Sequence, residues 1–149
     1  MAGTFISFWN APSVESPVVL NGADKIAFWV VVDFLEQVIS GDLALSNDEG
    51  CLSLLSSSKN AETLDFSVLS NSATRRLRAE LDEWRSSDHP FWSTEIAWKR
   101  LGGRGVSLSE PSHEHERNEI AHRSRMLGEM IFRNLVCAEN GKCEPDATE

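Results

Sequence analysis

The residues between Asp24 and Ser40 have the periodic separation of apolar and polar positions that is typical of a helix. On a helical wheel the apolar side chains fill one arc, and the other arc holds Lys25, Asp33 and Glu36. This separation predicts an amphipathic helix. Asp24 is a suitable residue to cap its start.

Shorter runs rich in β-branched and aromatic residues predict strands. Thr4–Trp9 and Pro17–Leu20 are two such runs. Leu64, Phe66 and Val68 alternate with polar residues, which predicts a third strand over residues 63–69 with these three side chains facing inward.

A β-hairpin is expected over residues 43–55. The apolar-rich runs 43–46 and 51–55 flank Asn47–Gly50, a cluster of residue types common in turns.

The second half of the chain has helical periodicity. Ser72 is expected to cap a helix that runs to about Arg85. A second helix is expected from Pro90 to about Leu101, and a long last helix runs from the segment 109–112 to about Ala138.

Strands followed by helices predict the α+β class. We expect a small antiparallel sheet of about four strands, packed by an N-terminal helix and three C-terminal helices. Residues 1–138 are expected to form a single globular domain, and residues 139–149 a disordered acidic tail.

The composition of the chain also limits where in the cell the protein is expected. The chain has 149 residues, and its start lacks the basic and apolar regions of a signal peptide. Its longest apolar stretch is far shorter than a membrane span. The three cysteines lack the spacing of a metal or redox motif, which favours reduced thiols and a cytoplasmic location.

Charge is unevenly distributed along the chain. Residues 1–72 carry nine acids and two bases, whereas all ten arginines follow residue 72. The net charge of −9 argues against direct binding of nucleic acid or of an anionic membrane, because both need a basic surface.

The acidic front half predicts a surface that binds a basic protein. Trp29 falls within the polar arc of the first helix, and a large aromatic residue there resembles the anchor of a binding hot spot. Neighbouring acids would steer the partner during association. The expected partner-binding residues are Trp29, Asp33, Glu36, Asp42, Asp48 and Glu49.

Two features weaken or compete with this interpretation. Arg75, Arg76 and Arg78 could pair with the acids within the fold. Alternatively, the sheet or another helix could cover Trp29.

A stripe of His115, Glu119 and His122 follows helical spacing on the last helix, and its side chains are of types that bind zinc, iron or manganese. The stripe does not have the His-Glu-x-x-His pattern, and it faces away from the apolar positions, so an exposed polar face is the preferred interpretation. We expect no metal and no cofactor.

The preferred hypothesis is a non-enzymatic inhibitor of the immunity-protein type. It would cover the basic groove of a nuclease toxin or of a nucleic-acid-binding protein. The alternatives are a metal-dependent enzyme that uses His115, Glu119 and His122, and a structural homo-oligomeric subunit. The sequence leaves the oligomeric state open.

Overall fold

The computed structural model describes residues 4–7, 18–20, 22–86, 88–94 and 114–140. Within them, three short strands form one mixed sheet in the order β2-β1-β3. The strands are β1 (Thr4–Ser7), β2 (Val18–Leu20) and β3 (Thr63–Asp65). β1 pairs antiparallel to β2, with Phe5 opposite Val19, and parallel to β3, with Ile6 opposite Leu64.

Helices make up most of the described chain. They are α1 (Gly22–Ser40), α2 (Leu43–Ser46), α3 (Glu49–Ala61), α4 (Asn71–Trp84) and α5 (Glu114–Asn140). Two 3₁₀ turns cover Phe66–Val68 and Pro90–Ser93.

The expected α+β fold with a four-stranded antiparallel sheet is therefore wrong. The described chain is predominantly helical, and its strands have only four, three and three residues. The segments expected to form a hairpin are α2 and α3 instead.

Side-chain capping explains why this segment is helical. Asp42 accepts hydrogen bonds from the backbone N–H groups of Ala44 and Leu45, and Asp48 accepts one from Cys51. These contacts satisfy donors that a helix start leaves unpaired. The aspartates that suggested turn chemistry thus begin two successive helices.

The other elements predicted from the sequence agree with the structure to different extents. Within the described residues, the structure contains the expected strands at 4–9 and 17–20 as β1 and β2, the helix at 24–40 as α1, and the helices expected at 72–85 and from 109–112 to 138 as α4 and α5. The strand at 63–69 is confirmed only to Asp65, and Val68 is 39% exposed, not inward-facing. α5 extends to Asn140, and the rest of the expected tail, residues 141–149, lies outside the described residues, as does most of the expected helix at 90–101.

α1 lies at the centre of the core. Eleven of its apolar side chains belong to the core cluster or pack against it, and the helix contacts all of the other four α-helices and β2. Its side chains Phe28, Val31 and Leu35 are fully buried. α1 therefore packs against other helices at both of its ends. Its start lies near α5, and its C-terminal end lies near α2 and α3.

Candidate functional site

The three predicted site residues on α1 do not share one open surface. Trp29 is half-buried, packs against the core and meets the Phe28 ring edge-to-face at 5.1 Å. Asp33 is only 3% exposed, so its carboxylate is not available at the surface. Glu36 forms an ion pair with Lys59 of α3, with 2.7 Å between Oε2 and Nζ.

Asp42 has two roles at the start of α2. Its Oδ1 caps the helix, and its Oδ2 accepts a hydrogen bond of 3.1 Å from Nε of Arg76 on α4. Arg76 also pairs with Glu80. The pKa of Arg76 is raised, first by its hydrogen bond to Glu80 and then by Asp42. Two carboxylates thus share one guanidinium, and this group keeps a net negative charge.

Asp48 and Glu49 lie where α2 passes into α3. The Asp48 carboxylate caps α3 at 3.0 Å from the Cys51 backbone nitrogen. Glu49 is exposed and forms no ion pair with a described residue. Carboxylates at a helix N-terminus interact favourably with the helix dipole.

Two exposed leucines occur in the same segment, and the sequence interpretation missed both. Leu43 is 79% exposed at the first position of α2, and Leu52 is 49% exposed on α3. We call residues 42–52 the α2–α3 corner. It brings together three of the six predicted site residues with two exposed leucines. The helical spacing of Cys51, Leu54 and Ser58, which are all buried, was the available signal that Leu52 faces outward.

A glycine allows the corner to pack closely against the following turn. A Cβ atom on Gly50 would lie 2.5 Å from the backbone oxygen of Val68 and 3.3 Å from Cα of Leu69. Such a distance is well inside van der Waals contact, so the first turn of α3 can approach this backbone only with glycine at position 50.

The corner contains one thiol, but its chemistry is suppressed. Cys51 is fully buried. Burial, followed by a hydrogen bond with Asp48 and the charges of Asp48 and Asp42, raises the pKa of the thiol to about 12. Because the thiolate is the nucleophilic form, Cys51 is unreactive at neutral pH.

The arginines of the second half neutralise part of the acidic first half. Arg76 reaches Asp42, and Nη1 of Arg123 on α5 lies 3.0 Å from Oδ1 of Asp24 in the first turn of α1. These pairs join residues 34 and 99 positions apart in sequence. The acidic character predicted for residues 1–72 is therefore concentrated at fewer positions. In the α2–α3 corner, Asp48 and Glu49 form no ion pair with a described residue.

The possible metal ligands on α5 are not assembled into a site. Nε2 of His115 lies 3.9 Å from Oε1 of Glu119, and Oε2 of Glu119 is occupied by Arg123 at 3.3 Å. Across the described residues, no three His, Cys, Asp or Glu side chains are arranged to hold a metal ion.

A surface groove lies between the first turn of α1 and α5. Its volume is about 430 Å³. It combines charged side chains with methionines and a leucine, and sequence patterns gave no indication of it. Its lining residues are Asp24, Glu119, His122, Arg123, Met126, Leu127 and Met130.

Comparisons with protein-family models, with curated proteins and with solved structures found no match. Among the described helices, none combines the length and the apolar character needed to cross a membrane.

Proposed function

We propose that this chain is a non-enzymatic, cytoplasmic protein that binds a basic protein partner through the α2–α3 corner. The observation that carries the proposal is the 79% exposure of Leu43, which follows Asp42 directly and precedes Asp48 and Glu49 by five and six residues. A large apolar side chain with this exposure contributes little to the fold, but it can be buried against a partner.

The acids around Leu43 favour a basic partner. Charges near an interface raise the association rate and reject partners of like charge. The net charge of −9 acts in the same direction at longer range. In the specific form that we propose, the chain inhibits its partner, a nuclease toxin or nucleic-acid-binding protein, by covering the basic groove.

In this proposal the side chain that anchors the partner is Leu43, in place of Trp29. Trp29 packs against the core, and its truncation would disturb α1 as well as any interface. Leu43 can be truncated with little effect on folding, because surface substitutions usually change stability by about 0.5 kcal/mol or less.

The test uses the partner captured from extracts of cells that make the protein, followed by purified association kinetics. Leu43→Ser should weaken binding by about 2 kcal/mol, or roughly 30-fold in Kd, mainly through faster dissociation. Glu49→Gln should slow association more than Glu83→Gln. The latter is a matched control that removes an exposed acid from α4.

Salt dependence provides the second measurement. Association should slow several-fold as ionic strength rises from roughly 20 to 200 mM, because screening shortens the reach of the acids. An association rate that does not change with salt, or equal binding by Leu43→Ser and the wild type, would overturn the proposal.

A further inference from the structure

The groove at the start of α1 is a second candidate site, distant from the α2–α3 corner. Asp24 lines the groove in the first turn of α1, whereas the corner follows the last turn at Ser40. At 1.5 Å per residue, these ends of the helix are roughly 24 Å apart. One site can therefore be altered without changing the other.

Three apolar side chains line part of the groove. Met126 is 55% exposed, which is unusual for a large apolar side chain on a helix that otherwise packs against α1 and α4. Leu127 and Met130 complete the apolar part of the lining. Methionine side chains are flexible and polarisable, and surfaces that accept varied apolar groups use them often.

The rest of the groove lining carries charged side chains. Arg123 lies between two carboxylates, with Nη1 at 3.0 Å from Asp24 and Nη2 at 3.3 Å from Glu119. Arg123 donates hydrogen bonds to both carboxylates, and these bonds, the one to Asp24 first, raise the pKa of its guanidinium. Among the lining residues, two carboxylates therefore stand against one guanidinium.

We infer that this groove binds a peptide segment of a partner protein in which an apolar side chain adjoins a lysine or arginine. The apolar side chain would lie on Met126 and Met130, and the cation would face the carboxylates of Asp24 and Glu119. An anionic segment is disfavoured because the two carboxylates would repel it. The guanidinium of Arg123 would attract it, but both carboxylates already engage that group. The volume of about 430 Å³ falls in the range of sites that take a small ligand or a few side chains.

Methyl NMR of the full chain tests this inference directly, because two of its three methionines line the groove. The probe is acetyl-Leu-Arg-Leu-Arg-amide, and the control probe is acetyl-Leu-Glu-Leu-Glu-amide. In ¹³C-methyl-methionine protein, the basic peptide should shift the Met126 and Met130 signals saturably. The acidic peptide should require at least a ten-fold higher concentration for the same shift.

Charge-matched variants separate groove binding from general attraction to an acidic protein. Glu119→Gln should weaken the basic peptide about three-fold or more, whereas Glu83→Gln, an exposed acid on α4, should leave its affinity unchanged. Met126→Ser should also weaken binding. Both Glu119 and Met126 are more than half exposed, so the variants should fold.

Three results would overturn the inference. They are equal shifts with the two peptides, the absence of saturable shifts at Met126 and Met130, and equal effects of Glu119→Gln and Glu83→Gln. None of them bears on the α2–α3 corner, whose test uses Leu43 and Glu49.

Discussion

At the scale of single residues, Glu62 shows how one side chain compensates for an unfavourable backbone conformation. It follows the last turn of α3 with φ of 52°, in the left-handed region that favours glycine. Its carboxylate accepts a 2.9 Å hydrogen bond from the Thr4 hydroxyl and lies 3.2 Å from the Lys25 ammonium. The residue thereby ties the end of α3 to β1 and α1.

These contacts predict a pH-dependent contribution to stability. The Thr4 hydrogen bond, followed by Lys25, lowers the pKa of Glu62 below its ordinary value of 4.5. Because the unfolded chain then binds the proton more readily, the contribution is present above pH 4.5 and is lost as pH falls through the lower folded pKa.

Glu62→Gln should therefore be less stable than the wild type at neutral pH, and the difference should shrink in acid. Urea unfolding of both proteins from about pH 7 to about pH 3 measures it. Glu83→Gln is the control for the loss of one acid. A difference that stays constant over this range would show that the Glu62 charge does not stabilise the fold.

At the scale of elements, the packing of α4 on α5 depends on a glycine. The Trp84 ring is fully buried and stacks on Phe34 at 4.8 Å and on Trp92 at 5.1 Å. A Cβ atom on Gly128 of α5 would lie 2.7 Å from Cζ3 of this ring. Gly128 thus provides the gap that the indole occupies.

Gly128→Ala should destabilise the protein by about 1–2 kcal/mol. The clash outweighs the gain in helix propensity, which is about 1 kcal/mol for alanine over glycine. Asn118→Ala, at an exposed position of the same helix, should be neutral or slightly stabilising. Denaturant unfolding measures both changes, and a more stable Gly128→Ala protein would contradict the close packing.

A double variant tests the mechanism of that loss. If the clash with the ring is the cause, Gly128→Ala should cost less in a Trp84→Phe background, where the ring is smaller. Coupling between contacting residues is commonly about 0.5–3 kcal/mol. Simple additivity would point to another cause.

The elements differ in how well the sequence predicts them. α1, α4 and α5 have apolar positions with helical spacing over several turns, so their existence follows from pattern alone. The α2–α3 corner has short apolar runs around Asn47–Gly50, and this composition fits either a hairpin turn or the capped start of a helix. The buried spacing of Cys51 and Leu54 favours the helix, but it becomes decisive only with the Asp48 cap in place.

At the scale of the whole molecule, the sequence shows the charge difference between the two halves, but it does not show which acids are paired within the fold. Whether Asp24 or Asp42 is open to a partner depends on Arg123 and Arg76, which the fold brings from distant positions. Likewise, Met126 is exposed because of how α5 lies on α1, and no local pattern specifies that contact. Pairing between distant residues is a property of the tertiary structure alone.

The arrangement also predicts where the molecule is most and least stable. α1 is buried on most sides by the other helices, whereas α2 has four residues and exposes Leu43 and Ala44. Amides in a central helix exchange with solvent only when the whole protein unfolds, while peripheral segments open locally.

Native-state hydrogen exchange should therefore give the slowest amides between Phe28 and Leu35, with a free energy equal to that of global unfolding in urea. Backbone amides of Leu45 and Ser46 in α2 should exchange by local opening with a free energy that is several kcal/mol lower. Equal protection of α1 and α2 would contradict this order. Low local stability at the α2–α3 corner would let Leu43 and its neighbouring acids adjust to a partner, while α1 holds the remaining structure fixed.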